Sequence, residues 1–192
     1  WEEDLTGFGD VHAGDAASTE SAGAQFYNPA VMSAFTETAF SVGAVGVILD
    51  TQVEPGSAVG GGTIDEPVSG DTQNAAPNFS VVVPLSEQWA IGFSESSPFG
   101  LSSDYSRGVP SDSRETITTY ATDTTIETIN LNPNLSYRLS PHWSLGAGVD
   151  VMYATANYDS SLLTNQLDDW GYGYNLGIYY APSEIWHFGL SY

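Results

Sequence analysis

Cysteine and lysine are both missing from this 192-residue sequence, and three arginines and three histidines are its only basic side chains. Without cysteine there is no disulfide, no thiolate metal site and no cysteine nucleophile. Without lysine, and with 24 acidic residues giving a formal net charge of −21, nothing could neutralise the phosphates of a nucleic acid. The same balance excludes adhesion to an anionic membrane surface through a basic patch. Also lacking is any apolar run of the roughly 18 residues that a membrane helix needs. The longest, Phe40–Leu49, is broken by glycine and alternates. The acids fall mostly between the apolar segments, where solvated loops would put them, with divalent cations or a saline habitat as secondary reasons. The chain starts at Trp1 without an initiating Met or a signal peptide, so it is expected to be either mature or cut.

What is present is a strict period of two. In Ile129–Leu139 the odd positions are Ile129, Leu131, Pro133, Leu135, Tyr137 and Leu139, and the even ones are Asn130, Asn132, Asn134, Ser136 and Arg138. Trp143–Tyr153 repeats this, with Trp143, Leu145, Ala147, Val149, Val151 and Tyr153 opposite Ser144, Gly146, Gly148, Asp150 and Met152. Such alternation predicts strands with one apolar face, and the Ser140-Pro141-His142 connection makes them an antiparallel hairpin. Each segment has the ~9–11 residues of a tilted membrane-crossing strand. Tyr137, Trp143 and Tyr153 sit where interfacial aromatic girdles would lie. The polar face is Asn, Ser and Gly, with less charge than a solvent-facing sheet usually carries. The pattern therefore predicts an all-β, antiparallel transmembrane barrel. A soluble acidic β-sandwich with a binding role is the alternative, which detergent dependence would separate.

Residues 1–38 contain no convincing strand, but Phe8, Phe26, Tyr27, Val31, Met32 and Phe35 are more large apolar groups than a solvated tail carries. Residues 39–192 divide into about seven strands. Phe40–Leu49 is the first, then a loop over Asp50–Ala75, then Phe79–Leu85 and a tight turn at Ser86-Glu87. The third strand, carrying Trp89, Ile91 and Phe93, breaks at Ser96-Ser97-Pro98-Phe99-Gly100, because Pro98 lacks an amide donor and Gly100 marks a bend. Leu101–Thr119 reads as a polar loop with Arg107 and Arg114. After the hairpin come a short loop, Asp159–Asp168, a sixth strand, Trp170–Tyr180, and a seventh holding Trp186, Phe188, Leu190 and Tyr192. Tight turns alternate with long acidic loops, as in outer-membrane barrels.

Catalytic constellations are weak. His12, His142 and His187 are far apart and read as interfacial polar residues. Gly92-Phe93-Ser94-Glu95-Ser96 lacks the last glycine of a hydrolase elbow. Gly60-Gly61-Gly62 has no lysine after it and is no phosphate loop. Asp168-Asp169 would leave most of a calcium shell unfilled. No catalytic residue, metal site or cofactor is expected. An outer-membrane lipase or protease, the enzymatic alternative, would need a constellation that these residues do not offer.

Several segments in matching order resemble the FadL family of outer-membrane transporters for hydrophobic compounds. They are residues 7–30, ending Phe26-Tyr27-Asn28-Pro29-Ala30; Phe40-Ser-Val-Gly-Ala-Val; Pro77-Asn78-Phe79 to Pro98-Phe99-Gly100-Leu101; Glu127 to Asn132 with Tyr137-Arg138-Leu139; Trp143 to Gly148; and Trp170 to Ile178. The resemblance implies a fourteen-stranded barrel in the Gram-negative outer membrane, with residues 1–38 as a hatch and 39–192 supplying the first half of the wall. It implies passive transport of fatty acids, hydrocarbons or aromatics, with outer-membrane lipid as surroundings and a monomer when complete. It further implies a lateral opening where Asn28, Pro29 and Ala30 lie beside a kink at Ser97, Pro98, Phe99 and Gly100. Because the kink frees backbone polar groups and Asn28 offers both donor and acceptor, Asn28 is expected to bond backbone there. Phe26, Tyr27, Asp150 and Thr155 are candidates for the substrate path. Two departures stand out: residues 159–168 are too short for the helical outer loop of fatty-acid members, and Thr155 replaces a basic residue that can hold a carboxylate. Neutral substrates are accordingly expected over ionised fatty acids.

Overall fold

The computed structural model describes residues 13–54, 58–59, 62–63, 67–105, 123–160 and 163–192. Phe8, His12, Gly60, Gly61, Arg107 and Arg114, and with them the start of the expected hatch, lie outside the described residues. One antiparallel sheet of eight strands dominates. Its strands are β1 (Ala39–Leu49), β2 (Thr72–Pro84), β3 (Trp89–Ser96), β4 (Gly100–Asp104), β5 (Asp123–Arg138), β6 (Trp143–Asp159), β7 (Thr164–Tyr180) and β8 (Phe188–Ser191). The spatial order is β1-β2-β3-β5-β6-β7-β8, with β4 pairing β5 beyond the end of β3. Every pairing between sequence neighbours is a hairpin, so the sheet curls as one half of a barrel wall.

The polarity of the two faces is inverted relative to a soluble sheet. Ser80, Ser94, Asn132, Asn134, Ser136 and Ser144 are buried on the inner face, while Phe40, Val42, Ile48, Tyr172, Tyr174 and Leu176 stand exposed on the outer one. A soluble protein buries its large apolar groups; this one presents them outward, as a lipid-facing wall must. Trp143, Leu145, Val149 and Ile178 are exposed on the outer face as the alternation predicts. Val151 shares their row through its pairing with Tyr172 and Leu131. The soluble-sandwich alternative is thereby removed.

Aromatic rings bracket this band. At the short-turn end Trp143 stacks on Tyr180 at 4.2 Å and Trp89 lies 4.5 Å from Tyr137. At the long-loop end Tyr153 lies 4.8 Å from Trp170. From Trp143 to Tyr153 the strand advances about 33 Å, which at a tilt of about 40–45° gives a band of about 25 Å, the height of an outer-membrane barrel's apolar belt.

Several strands run further than the sequence pattern indicates. β2 starts at Thr72, inside the expected Asp50–Ala75 loop, and β4 occupies the start of the expected Leu101–Thr119 loop. β6 continues to Asp159 and β7 begins at Thr164, so the expected Asp159–Asp168 loop shrinks to residues 160–163. Within the first long loop Gln52–Val53 pairs with Val68–Ser69. The reason is common to all: beyond the outer aromatic row both faces meet water, so the ladder continues without apolar alternation to announce it. Conversely β8 is shorter than expected, at Phe188–Ser191.

Pro133 sits in the middle of β5, a position that removes one ladder donor. The β5–β6 register omits the pairs of Pro133 and Asn132, between Gly148↔Asn134 and Val151↔Leu131. The Asn132 side-chain amide donates to Val149 O at 3.1 Å, replacing the proline's missing N–H.

Candidate functional site

A short N-terminal segment packs on the inner face at the short-turn end. It comprises a 3₁₀ turn at Asp15–Ala17, one helical turn at Ala24–Tyr27 and a second 3₁₀ stretch at Pro29–Ala34. Pro29 pushes Asn28 into extended backbone, φ −156° and ψ 107°. Asn28 caps the stretch by accepting from Ala30 N at 2.9 Å, while Pro29 supplies the fixed φ suited to its first position. The other half of the Asn28 amide donates to Ala16 O at 2.6 Å and to Ile178 O of β7 at 3.0 Å. Its side chain is fully buried and both ends are used.

The wall is shaped to receive this segment. A Cβ on Gly146 would collide with the Ala30 amide nitrogen and Pro29 carbonyl carbon, and one on Gly177 with Asn28 Oδ1. Ser136 donates to Ala30 O at 3.2 Å, Ser33 to Ser144 Oγ at 2.6 Å, and Arg138 to Ser33 O. Gln25, also fully buried, donates to Val81 O at 3.0 Å and Phe93 O at 3.3 Å on β2 and β3. The apolar contribution is two small clusters, Ala22, Met32, Val82 and Ala90 in one, Ala24, Ala30, Val31 and Tyr179 in the other.

Amides fill the interior beside it. Asn134 donates to Asn132 Oδ1 at 2.6 Å and Gln25 Oε1 at 3.3 Å, and Asn175 donates to Asn132 Oδ1 at 3.2 Å. Asn132 must point its amine at Val149 O, so its oxygen is left to accept these neighbours. Asp150 accepts from Asn130 Nδ2 at 2.9 Å, on the same inner face.

Toward the long-loop end the wall opens. β3 faces β5 up to Ser96↔Asn130, and β4 resumes at Gly100↔Glu127. Four steps on one strand against three on the other make a one-residue bulge at Ser97–Phe99. Thr128 satisfies the backbone there, accepting from Phe99 N at 2.8 Å and donating to Phe99 O at 2.7 Å. β2 pairs β3 only from Phe79↔Glu95 toward the short-turn end, and meets β4 again where Thr72 Oγ1 donates to Ser102 O at 2.7 Å. In between, among the described residues, β2 has no ladder partner on this side. A pocket of about 240 Å³ occupies the gap. Its lining mixes inward Val47 and Asn74 with outward Pro77, Glu95 and Glu127, so it traverses the wall.

Of the expected site residues, Ser97, Phe99 and Gly100 line this opening, with Pro98 in the bulge between them. The expected contact with Asn28, Pro29 and Ala30 is not made. Those residues lie at the level of Ser136 and Gly146, eight residues along β5 from Thr128, roughly 26 Å away. Asn28 spends its donors on Ala16 and Ile178, and Thr128 performs at the bulge the satisfying role expected of Asn28. Gly100 needs no special backbone, and a Cβ there would meet only Ile126 O at 4.0 Å. Phe26 and Tyr27 stack edge to face at 5.2 Å, half-buried in the docked segment. Asp150 is inward, as expected for a substrate path. Thr155 is not: it pairs with Glu127 and Asp168, and the unbroken period from Trp143 puts it on the outward row. Sequence reasoning missed Gln25, Thr128 and Glu95; the polar Asn130, Asn132, Asn134 face was visible, but not its bonding.

The model of the family described as outer membrane protein transport protein (OMPP1/FadL/TodX) matches residues 2–192. A long-chain fatty acid transport protein of Escherichia coli O6:H1 is 29% identical over 227 residues, covering 97% of this chain and 47% of the relative. Outer membrane protein P1 of Haemophilus influenzae is 28% identical over 244 residues, covering 100% of this chain and 51% of the relative. The crystal structure of a Pseudomonas aeruginosa FadL homologue superposes with a TM-score of 0.74 at 21% identity, over 98% of this chain and 50% of that one. For the Pseudomonas putida toluene transporter TodX the TM-score is 0.65 at 18% identity, over 88% of this chain and 49% of that one. The chain thus spans about half the length of the relatives it matches.

Proposed function

This chain belongs to the OMPP1/FadL/TodX family of outer-membrane transport proteins, and from that premise we propose that it forms the plugged first half of a passive channel for hydrophobic molecules. Residues 1–38 act as the hatch and residues 39–192 as wall. Long-chain fatty acids, hydrocarbons or aromatics enter at the long-loop end and leave sideways into the membrane through the gap between β2 and β4. The segment docked at Ser136, Gly146 and Gly177 closes the short-turn end, so straight passage is obstructed and a lateral exit is left. The observation that carries this reading is the interrupted ladder, because continuous strand pairing leaves no route through a barrel wall. The freed backbone is tied to Thr128 instead of facing hydrocarbon unpaired.

The test is Ala76→Trp, which places an indole in the opening, made in the complete protein. Uptake of a labelled hydrophobic compound should fall several-fold while the amount of folded barrel in the outer membrane is unchanged. Unaltered uptake would remove the lateral route, and a complete wild-type protein that takes up no hydrophobic compound would remove transport itself.

A further inference from the structure

The opening carries charge of one sign where a lipid-facing wall ordinarily carries none. Glu95 pairs with Phe79 on one side and Leu131 on the other, both outward residues, so its own side chain is on the outer face. It lies one row inside the Ile129, Tyr153 and Trp170 row. Glu127 pairs with Gly100 and Thr155 and lies on the same face one row beyond it. Both residues line the opening. Among the described residues the basic groups are Arg138, His142 and His187, all at the short-turn end. Arg138 is roughly 33 Å along β5 from Thr128, with its guanidinium bonded to Ser33 O.

We propose that Glu95 and Glu127 make the opening select against anions, so that it passes neutral hydrophobic molecules such as hydrocarbons, alcohols and esters in preference to ionised long-chain carboxylates. This rests on the lateral-exit reading above. An ionised head group entering here sheds water beside two like charges, with lipid beside Glu95 and no counter-charge among the described residues to replace its hydration. Like-charge repulsion is stronger in such a site than in bulk water. A neutral chain meets neither penalty. The remaining polar groups do not reverse the preference. The Thr128 hydroxyl is committed to Phe99. The Asn74 amide, which has no acceptor among the described residues, donates as readily to an ester carbonyl as to a carboxylate. The selectivity is therefore a property of two side chains on the wall, separate from whether the barrel transports at all.

The experiment uses the complete protein in a Gram-negative host lacking its own channel for hydrophobic compounds. Initial uptake of a long-chain carboxylate and of its methyl ester is compared at about pH 8, where the acid is ionised. The wild type should favour the ester by about tenfold, the order of one weakly screened like-charge encounter. Glu95→Gln combined with Glu127→Gln should raise carboxylate uptake well beyond any change in ester uptake, bringing the ratio to within about twofold of unity. Glu95→Asp should keep the discrimination, since it keeps the charge while changing the packing. A ratio unmoved in the double Gln variant, or a wild type favouring the carboxylate, overturns the inference while transport stands. Entry of neither compound overturns the transport reading as well.

Discussion

The two ends of this wall solve opposite problems with the same residue types. At the short-turn end Gly146 and Gly177 remove side chains so that backbone can press on backbone, and Asn28, Gln25, Ser33 and Arg138 bond across every approach. At the long-loop end Gly100 has nothing to make room for, and the ladder is interrupted around a pocket of about 240 Å³. One end is packed as an interior is packed; the other is a sheet with a deliberate defect whose loose backbone ends on a single threonine. The lesson is that a glycine or an asparagine in a barrel wall has no fixed meaning. Its role is set by what stands on the inner face at its row.

This contrast can be tested at its extremes. The largest effect is expected for Gly146→Val, whose added carbons collide with Pro29 and Ala30 backbone; overpacking of this kind should cost about 3 kcal/mol or more. The unfolding midpoint of the complete protein in detergent checks it, and a wild-type midpoint would show that the short-turn end is loosely filled. Next comes Asn28→Ala, which removes a cap and leaves the Ala16 and Ile178 carbonyls without their donor. A loss of about 2–4 kcal/mol follows from those combined deficits, measured the same way. Thr128→Val keeps the shape but strips both hydrogen bonds from Phe99, and should cost about 1–2 kcal/mol. Proteolytic sensitivity at residues 97–99 should rise with it, while susceptibility of residues 13–34 stays unchanged. The smallest effect belongs to Gly100→Ala, expected within about 0.5 kcal/mol of wild type. A loss comparable to that of Gly146→Val would erase the distinction between the two ends.

Much of the wall was legible because lipid on one side and polar filling on the other impose a two-residue period. Ile129 to Tyr137 and Trp143 to Tyr153 show it without error. Legibility ended where the solvent contrast ended. Thr72–Ala75 and Thr164–Asp169 are strands with water on both faces, and their composition is that of loops. The break at Ser97–Phe99 was visible through Pro98, since a missing donor is a local property. Its partner was not. Asn28 advertises one donor and one acceptor group, but nothing in its neighbours says whether the bonds go to Ile178 or to the bulge. Thr128 gives no sign at all, being one more even-numbered polar residue on β5. Glu95 was noticed only as part of an incomplete hydrolase pattern, while its significance comes from outward facing beside a gap.

The bonds of the docked segment also set an order in time. Gln25 reaches Val81 and Phe93 across separations of 56 and 68 residues, whereas Asn28 reaches Ile178 across 150. Closing the longer loop adds chain entropy that no earlier contact of Asn28 offsets, and contacts of this range are characteristically late. The segment can therefore settle on β2 and β3 first and then on β5 and β6 through Ser136, Arg138 and Ser144. Asn28 is fastened only when β7 arrives. Until then Asn28 has its Ala16 bond but not its wall bond, so β7 acts as a latch on the docked segment. Fastening of Asn28 to the wall and pairing of β7 with β6 are thus one event.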